Sequence, residues 1–355
     1  YGFGLPERDR VMGSVPVYAS SGLVGYHNES KVKKPSIIIG RKGNVGSLSY
    51  SETESYPIDT VFYVDKVSDG FDLKYIYYLL RKMNLPRYGG DSAVPGLSRD
   101  TIYNMIVETP ALDTQMKIAE ILSAYDLKIE NNNFIIKKLK ATAQTLFDEW
   151  FVNFRFPGYE KTKFVESEAG EIPEGWEVKS LDQTADFLNG VASQKYPAIN
   201  SKESLPVIKI REMNSGIDQN SDRATREIDK KYIIKNGDIL FACSGSLSLM
   251  TWVGGEGVLN QHIFKVTSEN YPKWFIYHWV QKHLHNFKII AEGKATTMGH
   301  IQRHHLSESF VVVPAEPILI KANKIISNLF DQQILLQEEN ISLKSQRDQL
   351  LAKLI

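Results

Sequence analysis

The chain has 355 residues, of which 42% are hydrophobic and 24% are charged. This length allows two or three domains with sizeable cores, and no apolar run approaches the roughly 18 residues of a membrane span. Forty-two basic residues balance forty-two acidic ones, so any binding of nucleic acid must rest on local patches. The single Cys243 excludes an internal disulfide and a cysteine zinc motif, which is typical of a reducing cytoplasm.

The first 109 residues are predicted to form an α+β domain. Residues 35–42 (PSIIIGRK) and 60–66 (TVFYVDK) are short β-branched or aromatic runs bounded by turn residues. Residues 71–83 (FDLKYIYYLLRKM) have the apolar and aromatic content of a helix that packs on such strands.

Basic and amide side chains flank the first of these strands. Lys33 and Lys34 precede it, and Arg41, Lys42 and Asn44 follow it in the Gly-spaced loop GRKGNVG. Arginine and asparagine pair bidentately with guanine and adenine edges, whereas lysine chiefly contacts phosphates. These residues are therefore candidate DNA contacts, with an ordinary solvated loop as the alternative. The later loop GGDSAVPGLSRD adds further candidates, Ser92 and Arg99.

Two long helices are predicted, one in the middle of the chain and one at its end. In the central helix apolar residues alternate at spacings of four and three, and only Asn132 breaks the series. In the last helix leucines recur every seven residues. The predicted packing residues are Ile118, Leu122, Tyr125, Ile129, Ile136, Leu139, Leu146, Trp150, Leu329, Leu336, Leu343 and Leu350.

Each helix would have roughly 40 residues and a length near 60 Å at about 1.5 Å per residue. Two such helices in one chain are expected to pack on each other. Asn132 and Asn340 would then help to set their register, at some cost in stability. The alternative is that each helix is ordinary core or an oligomerisation device.

The second half of the chain has the same character as the first. Residues 237–245 (GDILFACSG) and 262–268 (HIFKVTS) are strand-like, and residues 272–284 (PKWFIYHWVQKHL) are helix-like. The candidate DNA contacts here lie after strands and in the loop GKATTMGHIQRH. They are Lys209, Arg211, Asn214, Ser244, Lys294, Thr297, Arg303 and His304.

The two halves are divergent copies of one unit. Pro110 pairs with Pro314 and Arg99 with Arg303, both at a spacing of 204, and the offset falls to 190 toward the start of the chain. Residues 171–190 of the second copy have no counterpart ahead of Tyr1. We therefore expect about 20 residues of the first copy, including its opening strand, to be absent from this sequence.

Sequence motifs for catalysis are absent. There is no HExxH, GxSxG or CxxC, and the glycines of GRKGNVG match neither a dinucleotide fingerprint nor a Walker loop. His300, His304 and His305 form the best metal candidate, but no nearby carboxylate or cysteine supports them. A phosphate-contacting or solvated loop is favoured there. We predict no catalytic residue and no metal site.

Three segments resemble the specificity subunits of type I restriction-modification systems. They are LFDEWFVNFRFPG (146–158), FVESEAGEIPEGWEVKSL (164–181) and the repeated segment that begins PALDTQMKIAEILSAYDLKIENNN. The resemblance implies two pseudo-symmetric α+β target recognition domains separated by two long antiparallel helices. In such a subunit each domain reads one half of a split site in double-stranded DNA, and the helices form a coiled-coil-like spacer.

The resemblance also implies partners. Two modification subunits would supply S-adenosylmethionine and adenine methylation, and restriction subunits would supply ATP-driven translocation and Mg-dependent cleavage, all in the cytoplasm of a prokaryote. This chain would bind no cofactor. The implied parts are recognition domain 1 (1–109), the central helix (110–152), a linker (153–172), recognition domain 2 (173–313) and the C-terminal helix (314–355).

Two features depart from the family pattern. The first domain lacks its usual opening segment. The last helix carries Gln333, Asn340 and Arg347 where an apolar seam is expected. Two other functions remain open: a coiled-coil scaffold for protein interactions, and a metal-dependent nuclease or methyltransferase that uses the loop at 300–305.

Overall fold

The computed structural model describes residues 1–89, 96–198, 203–292 and 301–355. These residues form two compact units. The first unit comprises Tyr1–Ile129 with Leu343–Ile355, and the second unit comprises Glu130–Ser342. Both contain helices and strands, and a long helix occupies the middle of the chain, which confirms the predicted α+β class. No helix in the described ranges is long and apolar enough to cross a membrane.

The first unit contains two small sheets and the helices that cover them. Its sheets have the strand orders β2-β1-β5 and β4-β3-β6. The strands are β1 (Val15–Ala19), β2 (Gly22–His27), β3 (Ser36–Gly40), β4 (Leu48–Ser51), β5 (Tyr56–Pro57) and β6 (Val61–Val64). The helices are α1 (Leu73–Lys82), α2 (Arg99–Tyr103) and the first part of α3 (Leu112–Phe147).

Helix α1 forms where the sequence predicts a helix. Asp72 caps it, because its carboxylate accepts a hydrogen bond from the Tyr75 amide at 2.7 Å. One face of α1 packs on the apolar side of β3 and β6, where Ile37, Ile39 and Phe62 are buried. The loop that follows β3 is therefore supported by a continuous apolar layer.

The second unit repeats this plan with additional strands. Its larger sheets have the orders β10-β17-β14-β15 and β12-β11-β16-β13, and two ribbons pair β18 with β9 and β7 with β8. The strands are β7 (Phe164–Ser167), β8 (Gly170–Pro173), β9 (Glu177–Ser180), β10 (Asp186–Asn189), β11 (Ser204–Ile208), β12 (Arg223–Thr225), β13 (Ile233–Ile234), β14 (Ile239–Ala242), β15 (Ser248–Thr251), β16 (Gly257–Leu259), β17 (Ile263–Thr267) and β18 (Phe310–Val313). The helices are α4 (Leu181–Thr184), α5 (Ile210–Ser215), α6 (Lys273–Glu292), α7 (Arg303–Ser307) and α8 (Glu316–Leu354), of which α8 continues into the first unit.

The core of the second unit is rich in aromatic side chains. Helix α3 ends at Phe147 and continues as a π-helical turn, Asp148–Val152. Phe147 and Phe151 are fully buried and pack against α6: Phe147 contacts Trp279, and Phe151 contacts Trp274 and Phe275. The motif LFDEWFVNFRFPG therefore supplies part of this core.

Within each unit, α3 and α8 lie antiparallel. In the first unit Leu122 and Leu351 share an apolar cluster, and farther along α3 Asp126 binds Arg347. In the second unit the amide of Asn132 donates to the Asn340 side-chain oxygen at 3.0 Å. This buried pair is the contact expected of the two asparagines. The side-chain nitrogen of Asn132 also donates to Glu339 at 2.8 Å. The side-chain oxygen of Asn132 has no hydrogen-bond partner among the described residues.

The burial of the predicted packing residues is uneven. Ile118, Leu122, Ile129, Ile136 and Trp150 are buried, whereas Tyr125, Leu139, Leu146, Leu329, Leu336, Leu343 and Leu350 are half-buried. The most deeply buried row of α8 lies three residues before the leucines and contains Ile326, Gln333, Asn340 and Arg347. Residues three or four apart share a helix face, so the leucines are the flank of a seam whose centre is largely polar.

Candidate nucleic-acid interface

The loop after β3 forms a tight turn closed by a backbone hydrogen bond. The Gly46 amide donates to the Gly40 carbonyl at 2.8 Å, and Gly43 and Gly46 have φ angles of +77° and +73°. A Cβ atom at Gly46 would lie 2.4 Å from the backbone nitrogen of Pro86. These positions need glycine because of their positive φ angles and the close approach of backbone. The resulting turn presents Arg41, Lys42 and Asn44 at one edge of the sheet.

Arg41 and Arg99, which are 58 positions apart in sequence, converge on one aromatic ring. The Arg41 guanidinium carbon lies 5.3 Å from the centroid of Tyr1, and that of Arg99 lies 5.5 Å from the same centroid. Phe62 and Tyr103 extend this cluster, at 5.9 Å from Arg41 and 5.6 Å from Arg99 respectively. The rings hold both cations in defined positions without neutralising their charge.

Backbone hydrogen bonds fix Arg41 relative to the segment that carries Arg99. The Arg41 carbonyl accepts from the Leu97 amide at 3.0 Å, and its guanidinium donates to the Asp59 carbonyl at 2.9 Å. The Nε atom of Arg41 is buried without a partner among the described residues. Lys42 is exposed beside it. This edge therefore presents three cations together.

The lysines that precede β3 lie elsewhere. Lys33 and Lys34 stand at the opposite end of the strand from Arg41, and Lys33 pairs with Glu54 at 3.2 Å. The hydrogen bond from Ser30 is the largest of the effects that hold the pKa of Glu54 below its usual value, and the contact with Lys33 adds to it. The structure does not bring these two lysines to the Arg41 edge.

The second unit has the same backbone framework with different side chains. The Ile301 amide donates to the Cys243 carbonyl at 2.9 Å, as Leu97 does to Arg41. Cys243 is fully buried, and burial raises the pKa of its thiol to about 11. Ser244 is also buried. The position of Arg41 in the first copy is thus apolar in the second.

The guanidinium of Arg211 is engaged within the protein. It contacts Asp218 through two nitrogens at 2.9 and 3.0 Å, and it also binds Glu212 and Ser221. These hydrogen bonds tie α5 to the following loop and hold the pKa of Asp218 below its usual value. Lys209 likewise pairs with Asp222. Arg211 and Lys209 are therefore paired with carboxylates of their own unit, and the sequence alone did not predict these contacts.

Three predicted residues of the second unit are exposed: Asn214 at the end of α5, and Arg303 and His304 in α7. His305 is buried, and its Nδ1 atom accepts from the Gln302 amide at 3.0 Å. Among the described residues there is no group of three metal-ligating side chains. Ser92, Lys294, Thr297 and His300 lie outside the part of the chain that the structure describes.

The aromatic partners of the arginines were not predicted from the sequence. Tyr1 and Tyr103 are distant from Arg41 in sequence, and the Tyr103 side chain is 73% exposed. An exposed tyrosine four residues after an arginine is a weak signal, because such spacing is common on helix surfaces. Together with the arginines these rings make a cationic and aromatic surface, which suits contact with base edges and sugar-phosphate.

Comparison with known proteins gives a consistent result over most of the chain. Residues 7–141 and 173–345 match the family model described as the type I restriction modification DNA specificity domain. The MjaIX specificity subunit of Methanocaldococcus jannaschii is 27% identical over 353 residues, which cover 92% of this chain and 80% of that protein. The HindI specificity subunit of Haemophilus influenzae is 23% identical over 405 residues, covering 91% of this chain and 86% of that protein.

A solved structure supports the fold independently. The crystal structure of the type I restriction-modification S subunit from M. genitalium aligns with a TM-score of 0.61. The alignment covers 100% of this chain and 92% of that chain at 15% identity. At this identity the likeness concerns the fold, and it agrees with the repeated recognition domains and the long helices expected from the sequence.

Proposed function

Because this chain belongs to the family of type I restriction-modification DNA specificity subunits, we propose that it reads the DNA site of such a system without catalysing a reaction itself. Each of its two copies would recognise one half of a bipartite site in duplex DNA. The parts are those expected from the sequence: recognition domains at 1–109 and 173–313, helices at 110–152 and 314–355, and a linker at 153–172.

The observation that carries this proposal is the convergence of Arg41 and Arg99 on Tyr1. Arginine pairs bidentately with guanine, and a guanidinium already positioned by aromatic rings loses less conformational freedom when it does so. The neighbouring Lys42 and Asn44 would contact phosphate and a base edge respectively. Lys34, remote from this edge, would contribute only long-range attraction.

In the second unit we assign DNA contact to Asn214, Arg303 and His304. We assign Lys209, Arg211 and Ser244 to the support of their loops, because the two cations are paired and the serine is buried. The two half-sites would then be read with different chemistry. The first edge offers arginines at two positions of the framework, and the second offers one.

The partners follow from the family. Two modification subunits would bring S-adenosylmethionine and methylate adenine, and restriction subunits would bring ATP-dependent translocation and cleavage with Mg²⁺. The paired helices would hold the half-sites at a fixed spacing and provide surface for the modification subunits. The cytoplasm of a prokaryote is the compartment that this function requires.

The residue-level test compares Arg41→Ala with Lys33→Ala in the complex with its modification subunit. We expect Arg41→Ala to weaken binding to the cognate site by about 1–3 kcal/mol and to relax specificity at one position of one half-site. Lys33→Ala removes the same charge from the other end of β3, where Glu54 already pairs with it. Binding is measured on a set of duplexes that vary one base pair at a time, at a fixed salt concentration.

Three outcomes distinguish the roles. A loss confined to one position identifies Arg41 as a base reader. An equal loss on every duplex identifies it as a phosphate contact. Equal effects of the two variants on specific binding would refute the assignment of this edge.

The whole-protein test is methylome sequencing of cells that carry this chain with its modification subunit, against cells without the chain. Methylated adenine in two short specified blocks around a fixed gap is the expected result. No change of motif, with the modification subunit expressed and bound, would favour a scaffold for protein interactions instead.

A further inference from the structure

The turn that connects β16 to β17 in the second unit exposes two polar side chains, Gln261 and His262. The Ile263 amide donates to the Asn260 carbonyl at 3.0 Å, so Gln261 and His262 are the two central residues of a tight turn. The Asn260 side-chain oxygen accepts from the His262 amide at 3.3 Å, which is the reason that asparagine favours the first position of such a turn. The fold thus places an amide and an imidazole at the end of two largely buried strands.

This turn has the same place in its sheet as the turn beside Arg41 in the first unit. The Arg41 amide donates to the Thr60 carbonyl at 2.9 Å, and the Cys243 amide donates to the His262 carbonyl at 3.1 Å. Strands β6 and β17, which follow these turns, pair antiparallel and in the same register with β3 and β14. Gln261 and His262 therefore stand at the sheet edge that corresponds to the Arg41 edge.

The candidate DNA contacts in α7 adjoin the same strand end. The Cys243 amide binds the turn at His262, and the Cys243 carbonyl accepts from the Ile301 amide, two residues before Arg303. Cys243 therefore joins the turn to the segment that precedes α7 through both of its main-chain groups. Its own thiol is buried and donates to the His262 carbonyl at 3.3 Å. Exposed polar side chains thus reach this end of the sheet from the turn and from α7.

The main chain of Gln261 is fixed on both sides. Its amide donates to the Val191 carbonyl at 3.0 Å, and its carbonyl accepts from the Asn189 side chain at 3.3 Å. The Gln261 side-chain nitrogen donates to Nε2 of His262 at 3.3 Å. An exposed glutamine usually samples many rotamers, and ordering it on binding costs free energy. These contacts reduce that cost, because they already limit where the Gln261 amide can lie.

The remaining hydrogen-bonding groups of Gln261 match those of adenine. A side-chain amide has two N–H donors and one carbonyl acceptor. His262 takes one donor, and the second N–H and the Oε1 atom have no partner among the described residues. In the major groove adenine offers N7 as an acceptor and its N6 amino group as a donor, and glutamine pairs with both. Guanine offers two acceptors there, so Oε1 of Gln261 would face O6 with no hydrogen between them.

We propose that Gln261 recognises one adenine in the half-site that the second unit reads. Its Nε2 atom donates to N7 of the base, and its Oε1 atom accepts from the N6 amino group. This inference rests on the proposed function, because it assigns a residue and a base within the same DNA site. The two edges then differ in chemistry, since Arg41 in the first unit suits guanine and Gln261 in the second suits adenine.

The experiment compares the unmodified chain with Gln261→Ala, each in the complex with its modification subunit. The duplexes carry the site found by methylome sequencing, with one base pair changed at a time at a fixed salt concentration. In a second set, adenines of the site are replaced one by one with 7-deazaadenine, which lacks the N7 acceptor and still pairs with thymine. The matched control is Gln332→Ala, because Gln332 is an exposed glutamine on α8 of the same unit. The Gln261 turn is closed by main-chain hydrogen bonds, so truncation of this exposed side chain leaves the fold intact.

We expect 7-deazaadenine at one position to weaken binding of the unmodified chain by at least about fivefold and to leave binding of Gln261→Ala unchanged. Gln261→Ala should also accept other base pairs at that position, and Gln332→Ala should bind every duplex as the unmodified chain does. The proposal is overturned if Gln261→Ala binds like the unmodified chain, if it loses affinity equally on every duplex, or if the position that it affects is not an adenine. In all three cases the unmodified complex still binds its site specifically, whereas failure of the proposed function would abolish that specificity.

Discussion

The ion pair between Asp126 and Arg347 in the first unit gives a sharp prediction about stability. The Arg347 side chain is 7% exposed and that of Asp126 is 31% exposed. The Tyr78 hydroxyl donates to the same carboxylate at 2.7 Å. Arg347 also contacts Asp348 at 2.9 Å, but that carboxylate is 56% exposed. The cation is thus the more deeply buried member of the pair.

The burial difference sets the order of two substitutions. Loss of one partner from a fully buried pair costs about 3–5 kcal/mol, and partial solvation of Asp126 reduces the expected cost of Asp126→Asn to about 1–3 kcal/mol. Arg347→Met should cost less than about 1 kcal/mol, because Asp126 keeps Tyr78 and water while methionine fills the space of the arginine stem. The double variant should resemble Arg347→Met alone.

The assay is urea unfolding of the full chain. Unfolding of the first unit is monitored by hydrogen exchange in α1 and in residues 343–354. These segments belong to the first unit, so the signal does not average over both units. Asp348→Asn is the control and should change stability by no more than about 0.5 kcal/mol. If Arg347→Met proves at least as costly as Asp126→Asn, the reasoning from burial fails.

Three further predictions concern packing and burial. Asn340→Leu should lower the free energy of unfolding by about 1–2 kcal/mol, because Asn132 loses a buried partner, and adding Asn132→Leu should restore it in urea titrations. Gly46→Ala should lower the free energy of unfolding by more than about 2 kcal/mol, because its Cβ would lie 2.4 Å from backbone. Gly170 has a φ of +92° and open space around the Cβ position, so Gly170→Ala should lower it by about 1 kcal/mol in the same titrations. Cys243 should resist a thiol reagent at neutral pH until the chain unfolds, because burial raises its pKa to about 11; rapid labelling of the native chain would contradict its placement.

Much of the fold follows from local patterns in the sequence. The runs around Ile38 and Phe241 become β3 and β14, and both aromatic segments predicted as helices become α1 and α6. Alternation and helical periodicity are properties of a few adjacent residues, so they persist whatever packs against them. The repeat also follows, because its spacing is visible without any structure.

The polar centre of the seam between α3 and α8 could not be predicted from local sequence patterns in the same way. Heptad leucines at 329, 336, 343 and 350 point to an apolar seam, yet the more deeply buried row includes Gln333, Asn340 and Arg347. Each of these polar residues is tolerated through a specific hydrogen bond, such as those from Asn132 and to Asp126. Gln333 bonds locally to the Leu329 carbonyl, but the partners of Asn340 and Arg347 lie more than 200 positions away, and only the tertiary fold pairs them.

Candidate DNA contacts were the least predictable feature, for a reason that Arg41 and Arg211 illustrate together. Both are arginines just after a strand, and composition cannot separate them. Arg211 is followed seven residues later by Asp218, which binds its guanidinium on two nitrogens. Arg41 rests instead on Tyr1, a residue 40 positions away, and keeps its charge unpaired by any carboxylate among the described residues. Whether the guanidinium is free for an outside contact is decided by those neighbours rather than by the arginine itself.

The same reasoning explains why the two copies can diverge at one position while keeping one backbone. Arg41 and Cys243 both accept a hydrogen bond through their carbonyls from the segment that precedes α2 or α7, so the framework does not depend on either side chain. The side chain is free to change because the main chain carries the structural role. A cation that rests on aromatic rings stands at this position in one copy, and a buried thiol stands there in the other. One repeated fold can therefore carry different side chains at such positions, because the backbone contact is kept.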